Sequence, residues 1–198
     1  MDIEILGNKV NPSVIVIGVF HGDEPQGDYL IREYFKNNPN TGLMMLPCLN
    51  KFGFKAGKRT NANGVDLNRN FPTANWAKTD KGDFYSGEIP ASEEETKFLV
   101  DLIEKYNPLA ILTFHAPYKV VNYDDASNKN SRKLAEQISD IIGYPVVDDI
   151  GYATPGSFGT WAGKEKNIPT ITLELDENID INLLLKPTFK IFQMLENY

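Results

Sequence analysis

Only two histidines occur in the chain, His21 and His115, and each stands at the end of an apolar run. The run before His21 is Val14-Ile15-Val16-Ile17-Gly18-Val19-Phe20, and the run before His115 is Ala110-Ile111-Leu112-Thr113-Phe114. Glu24 follows His21 by three positions in His21-Gly22-Asp23-Glu24, a step that crosses from a strand into the first turn of a helix. Such a corner can aim an imidazole and a carboxylate at one point, with His115 arriving from a second strand. Two His and one Glu with an open fourth position form the ligand set of a catalytic zinc site. The plainer alternative is that each histidine is structural and that Glu24 only complements a helix dipole, worth ~0.3–1 kcal/mol.

A second concentration of polar chemistry lies in Arg59-Thr60-Asn61-Ala62-Asn63-Gly64-Val65-Asp66-Leu67-Asn68-Arg69-Asn70-Phe71-Pro72. Two guanidinium groups and several amides share one segment, and Arg suits bidentate capture of a carboxylate. Read alone, the same segment is a solvated, Asn-rich turn.

The elements that must position these groups follow from periodicity. Residues 14–20 form a continuous β-branched run, as expected of a strand buried on both faces. Residues 43–49 and 110–114 read the same way, and residues 169–175 alternate, putting Thr170, Thr172 and Glu174 on one face. Helical patterns cover residues 25–36, 131–142 and 181–196. A fourth starts at Ser92, whose Glu95 completes a capping box, and stops at Asn107-Pro108. Alternating strands and helices predict an α/β fold: a mixed, mostly parallel central sheet with helices on both faces. Ligands in such sheets bind beyond the carboxyl ends of the strands, where both histidines fall. Residues 50–76 and 79–91 are polar and long for connections, which marks them as functional loops.

The chain has 198 residues, 41% hydrophobic and 24% charged, a composition that excludes collagenous and disordered classes. No stretch reads as a linker, so a single catalytic domain over residues 1–198 is expected. The net charge of −7 argues against nucleic acid and anionic membranes as partners. Cys48 is the sole cysteine, which suits a reducing compartment. The start, Met1-Asp2-Ile3-Glu4-Ile5-Leu6, lacks the pattern of a secretory leader, and the longest apolar run is too short to span a bilayer. A cytoplasmic location is the expectation.

Taken in order, His21-Gly22-Asp23-Glu24, Gly64-Val65-Asp66-Leu67-Asn68-Arg69-Asn70-Phe71-Pro72, His115 and Glu174 resemble the zinc carboxypeptidase family. Tyr85-Ser86-Gly87 and Tyr152-Ala153-Thr154-Pro155-Gly156-Ser157-Phe158-Gly159-Thr160-Trp161 resemble, within it, the amidases that process murein peptides. The resemblance implies one Zn2+ per chain, held by His21, Glu24 and His115. It implies Glu174 as the general base that takes a proton from water and returns it to the leaving amine. Arg59 then resembles the oxyanion-stabilising arginine, Asn68 and Arg69 the pair that grips a terminal carboxylate, and Tyr152 the tyrosine that closes over substrate. Asp66 is expected behind the metal, accepting a hydrogen bond from a ligand histidine.

By the same resemblance the substrate is a small murein tripeptide, cut at its γ-D-Glu–meso-diaminopimelate bond. Asp23 stands where larger members carry a basic residue, which would favour a cationic group on the substrate. Ala116 stands where the amidases carry Asp. Deacylases such as aspartoacylase and succinylglutamate desuccinylase share the His-x-x-Glu and Asp-x-Asn-Arg pieces and are the rival enzymes. A non-catalytic peptide-binding module is the rival of another class. The oligomeric state is open.

Overall fold

The computed structural model describes residues 3–124 and 129–198, so Met1 and Asp2 of the opening stretch lie outside it. Among the described residues seven strands form one sheet: β1 (Leu6–Gly7), β2 (Val14–Ile17), β3 (Met44–Leu46), β4 (Ala110–His115), β5 (Val120–Tyr123), β6 (Val146–Val147) and β7 (Thr170–Glu174). Their spatial order is β1-β3-β2-β4-β7-β5-β6. The centre, β3-β2-β4-β7, is parallel, whereas β1 pairs with β3 and β5 with β7 in antiparallel fashion. The mixed, mostly parallel sheet agrees with the pattern of the sequence.

Five α-helices among the described residues join the strands: α1 (Gln26–Asn37), α2 (Lys51–Ala56), α3 (Glu94–Tyr106), α4 (Lys129–Ile142) and α5 (Asn182–Leu195). Alternate strand residues feed two cores. Val14, Val16, Leu112, Phe114, Ile171 and Leu173 pack under α1, α4 and α5 with Leu30, Leu134 and Phe192. Ile15, Ile17, Ile111, Met44 and Leu46 face the other way, onto Leu99 and Ile103 of α3 and onto Phe71, Phe158 and Trp161. Burial of each such side chain contributes roughly 1.5–3 kcal/mol.

Three local expectations give way. β2 ends at Ile17 rather than Phe20: the Gly18 N–H still completes the ladder to the Leu46 carbonyl at 2.8 Å, but Val19 adopts φ 44° and breaks the extended chain. A Cβ on Gly18 would lie 2.2 Å from the Pro47 carbonyl oxygen, so the strand can turn there only without a side chain. The long segment 50–76 is not all loop: Asn50 caps α2 by accepting the Gly53 N–H at 2.8 Å. The Ser92–Glu95 capping box does not form, and α3 begins two residues later, at Glu94. Ser92 instead donates to Glu93, whose carboxylate also receives Asn61 and Asn63, while Glu95 accepts from Asn61. The asparagine-rich loop outcompetes the helix end for these groups.

The strand that carries His115 is tied to the strand that carries Glu174. In register, His115 faces Glu174 and Thr113 faces Thr172 across β4 and β7. On the other side of β7, Val120 faces Glu174 and Asn122 faces Thr172. One face of the sheet thus bears two polar rows, with Glu174 in the upper row and Thr172 in the row beneath.

Candidate metal centre and its crevice

His115 is the last residue of β4 and is buried. His21 and Glu24 sit in a turn between β2 and α1, closed by the Glu24 N–H donating to the His21 carbonyl at 3.1 Å. Glu24 therefore precedes α1 rather than lying in its first turn, since Pro25 is the residue that caps the helix. The turn packs so closely on α2 that a Cβ on Gly22 would come within 1.9 Å of the Gly53 carbonyl carbon. Glycine is required there by contact, and that contact fixes where the two ligand side chains point.

The three groups converge. His21 Nδ1 lies 2.9 Å from Glu24 Oε1, His115 Nδ1 lies 3.0 Å from Glu24 Oε2, and the two Nδ1 atoms are 3.2 Å apart. One ligand atom from each falls within 4.8 Å of the others. Two imidazole nitrogens cannot face each other at that distance with bare lone pairs; a proton or a cation must stand between them. Burial disfavours a charged His21, but Asp66 and Glu24 outweigh it and raise its pKa to about 9. Burial likewise disfavours an ionised Glu24, yet His21 and His115 hold its carboxyl well below the usual carboxylate range. The cluster is built to hold positive charge, and its N, N, O donor set fits a divalent ion of the zinc type.

Asp66 supports the centre from behind. Its Oδ1 lies 3.0 Å from His21 Nε2 and also accepts the Asn68 N–H at 2.8 Å. Its Oδ2 takes Arg59, with Nη2 at 2.9 Å. Burial opposes ionisation of Asp66, but His21 and Arg59 keep its pKa far below normal. Arg59 also reaches Glu24 Oε1 at 3.4 Å, so it stands beside the ligand cluster.

Around this centre lies a crevice of about 500 Å³. Every site residue expected from the sequence except Asp66 lines it: His21, Asp23, Glu24, Arg59, Asn68, Arg69, His115, Tyr152 and Glu174. Glu174 is buried, and its Oε2 has no hydrogen-bond partner among the described residues. Burial raises its pKa, and Glu24 adds to the rise against the pull of His115. Arg69 is held by its own loop, Nη1 donating to the Asn68 carbonyl at 2.7 Å. Asn68, which lines the crevice, accepts the Phe158 N–H on its Oδ1 at 2.8 Å. Tyr152 is exposed at the mouth, where burial and a hydrogen bond with Tyr118 raise its pKa. Asp23 is exposed as well.

Periodicity and motif matching missed several members of the crevice wall. Phe84 packs under both guanidinium groups, 5.0 Å from Arg59 and 5.8 Å from Arg69. Its place in the polar stretch 79–91 was the only signal. Ala116 contributes its backbone, donating to Glu24 Oε2 at 3.3 Å, a contact that needs no particular side chain at that position.

The profile of the family described as zinc carboxypeptidase matches residues 4–196. Murein peptide amidase A of Escherichia coli strain K12 is 37% identical over 139 residues, which cover 64% of this chain and 55% of that protein. Murein peptide amidase A of Vibrio campbellii is 34% identical over 181 residues, 83% of this chain and 70% of that one. The chain thus spans about half the length of the Escherichia coli relative it matches, at 55%. The crystal structure of the murein-tripeptide amidase of Escherichia coli O157 superposes with a TM-score of 0.81 at 29% identity, over 96% of this chain and 83% of that one. Among the described residues, no helix is long and apolar enough to cross a membrane. With the profile matching nearly its whole length, this chain belongs to the zinc carboxypeptidase family.

Proposed function

We propose that residues 1–198 form one catalytic domain, a zinc-dependent amidase that hydrolyses the γ-D-Glu–meso-diaminopimelate bond of the murein tripeptide in the cytoplasm, during cell-wall recycling. The observation that carries this reading is the convergence of His21, Glu24 and His115 beside a buried Glu174 oxygen that has no partner among the described residues. The likeness to murein peptide amidases supports the choice of substrate.

An amide is a poor electrophile and water a poor nucleophile. A zinc ion supplies Lewis acidity, polarising a carbonyl and bringing the pKa of water to about 7. His21, Glu24 and His115 are the residues that would hold it. Glu174 is proposed as general base: its raised pKa moves it toward the value at which a carboxylate both accepts a proton and gives it back to the leaving amine. Arg59, pinned by Asp66 and backed by Phe84, is the proposed partner of the developing oxyanion. Arg69, with the free amide of Asn68, is proposed to hold the carboxylate of the released residue, which makes the enzyme trim an end. Tyr152 would close over the substrate, and Asp23 would lend negative potential at the mouth.

The test is to incubate the zinc-loaded protein with synthetic L-Ala-γ-D-Glu-meso-diaminopimelate and follow free diaminopimelate. Release is expected, and Glu174→Gln should keep its zinc while losing at least ~100-fold in rate. Turnover of N-acyl aspartate in place of the tripeptide would support the deacylase reading. Bound zinc with no turnover of either substrate would point to a binding module.

A further inference from the structure

Glu93 is buried, yet it is not among the residues that line the crevice. Its Oε2 accepts Asn61 Nδ2 and Asn63 Nδ2, each at 2.7 Å, and its Oε1 accepts the Ser92 hydroxyl at 2.6 Å. Burial opposes its ionisation, but the hydrogen bonds from Asn61, Ser92 and Asn63, with the charge of Lys97, hold its pKa below normal. A charged carboxylate is therefore kept inside the protein by amides and a hydroxyl, and two of those amides belong to the loop that carries Arg59 and Asp66.

Asn61 transmits this hold in one direction only. Its Oδ1 accepts the Asn63 and Val65 N–H groups, each at 3.0 Å, so its Nδ2 has to be the end that meets Glu93. Its own N–H donates to the Val65 carbonyl at 2.9 Å, and its carbonyl accepts the Gly64 N–H at 3.0 Å. Residues 61–65 thus close on Asn61. Arg59 stands two residues before that closure and Asp66 one residue after it, and these two side chains are fastened to each other behind His21.

The other end of the loop is gripped at Asn70, the residue after Arg69. The Glu93 N–H donates to Asn70 Oδ1 at 3.2 Å, and Asn70 Nδ2 donates to Ser92 Oγ at 3.0 Å and to the Ser86 carbonyl at 2.8 Å. A Cβ on Gly87 would fall 2.5 Å from Ser92 Oγ and 2.7 Å from Asn70 Nδ2, so the neighbouring turn leaves room for this junction. Glu93 itself immediately precedes α3, whose Leu99 and Ile103 are packed in the core. The loop is clamped at both ends to a rigid element.

We propose that Glu93 is a positioning residue for the reaction, acting through Asn61 on Arg59 and Asp66, and through Ser92 and Asn70 on Arg69. A buried charged acceptor makes stronger and more directional bonds than a neutral one, which suits a group that must hold a loop to within a fraction of an ångström. The proposal rests on the amidase reading for what the two arginines do. Its Asp66 arm does not need that reading, because Asp66 orients His21 whatever the substrate is.

The experiment reverses the contact between Asn61 and Glu93. Asn61→Asp keeps an oxygen for the two backbone N–H groups but turns a second carboxylate oxygen on Glu93; adding Glu93→Gln exchanges donor and acceptor and restores a hydrogen bond. Zinc affinity is measured by chelator competition, kcat and KM on the tripeptide, and stability by thermal unfolding. Asn61→Asp should lower zinc affinity about tenfold, the lower end for a group behind a ligand, and kcat about tenfold, with KM little changed. The double variant should return both to within about threefold of the wild type. Ser92→Ala, which cuts the other arm, should raise KM severalfold with kcat held. Asn61→Ser withdraws the donor without adding charge; it serves should Asn61→Asp fail to fold, and should move zinc affinity and kcat the same way. A lower melting temperature with zinc affinity and kcat unchanged overturns the proposal, as does a loss that the double variant leaves uncorrected. A KM unmoved by Ser92→Ala overturns the Arg69 arm. Absence of turnover in the wild type, with zinc affinity lost and restored as expected, sinks the amidase reading and leaves the hold of Glu93 on Asp66 standing.

Discussion

Asp66 Oδ1 lies 3.0 Å from His21 Nε2, on the side of the ring opposite the Nδ1 that meets Glu24 and His115. An ionised carboxylate only accepts, so Nε2 keeps its proton, and it is the Nδ1 proton that a metal would displace to take the lone pair there. Asp66→Asn keeps the shape but can offer an N–H to the same nitrogen, which favours the wrong tautomer. Zinc affinity, measured by chelator competition at pH 7.5, should fall about 10–100-fold. An unchanged affinity would show that the hydrogen bond orients nothing the metal uses.

Arg59 and Arg69 share the Phe84 ring yet are expected to separate in kinetics. Arg59 is fastened to Asp66 and Glu24, next to the reacting centre, whereas Arg69 is fastened to its own loop carbonyl away from the ligands. Arg59→Lys should lower kcat about 10–100-fold, the worth of a charge-assisted hydrogen bond of about 1.5–3 kcal/mol, with little change in KM. Arg69→Ala should mainly raise KM, because the carboxylate it is proposed to hold is present in ground and transition states alike. Steady-state kinetics on the tripeptide checks both, and an inverted split would exchange the two roles.

What could be read in the sequence was whatever rested on a strand and its end. His115 and Glu174 close two runs whose apolar and alternating patterns are local, and the ladder that joins them follows from parallel pairing. The turn holding His21 and Glu24 was legible as a neighbourhood but not as geometry. Its position depends on Gly22 meeting α2, a contact between segments about thirty residues apart in the chain. Asn122 gave no signal, since β5 is four residues long and acquires its register only by pairing with β7 and β6. The Ser92–Glu95 motif misled for the same reason: Asn61, Asn63 and Asn70 reach its residues from outside the window in which a capping box is read.

Asp124, the residue after β5, has a signature in stability. Burial raises its pKa to about 6, against the nearby charges of Lys164 and His115 and the hydrogen bonds from Thr172 and Asn122, which all pull it down. An unfolded Asp titrates near 3.9. Below that value both states hold the proton and its burial carries no ionisation penalty. Between about 4 and 6 the unfolded chain ionises first, so stability declines as pH rises, by up to about 1.4 kcal/mol for each pH unit between the two values. Above about 6 the penalty is constant. Asp124→Asn mimics the neutral form and removes this dependence. Urea unfolding of the zinc-free protein and its variant should therefore show a gap in favour of Asp124→Asn that is small at pH 4.5 and full at pH 7.5. A gap of equal size at both values, or one of opposite sign at pH 7.5, would mean that a partner in the folded protein already neutralises the carboxylate.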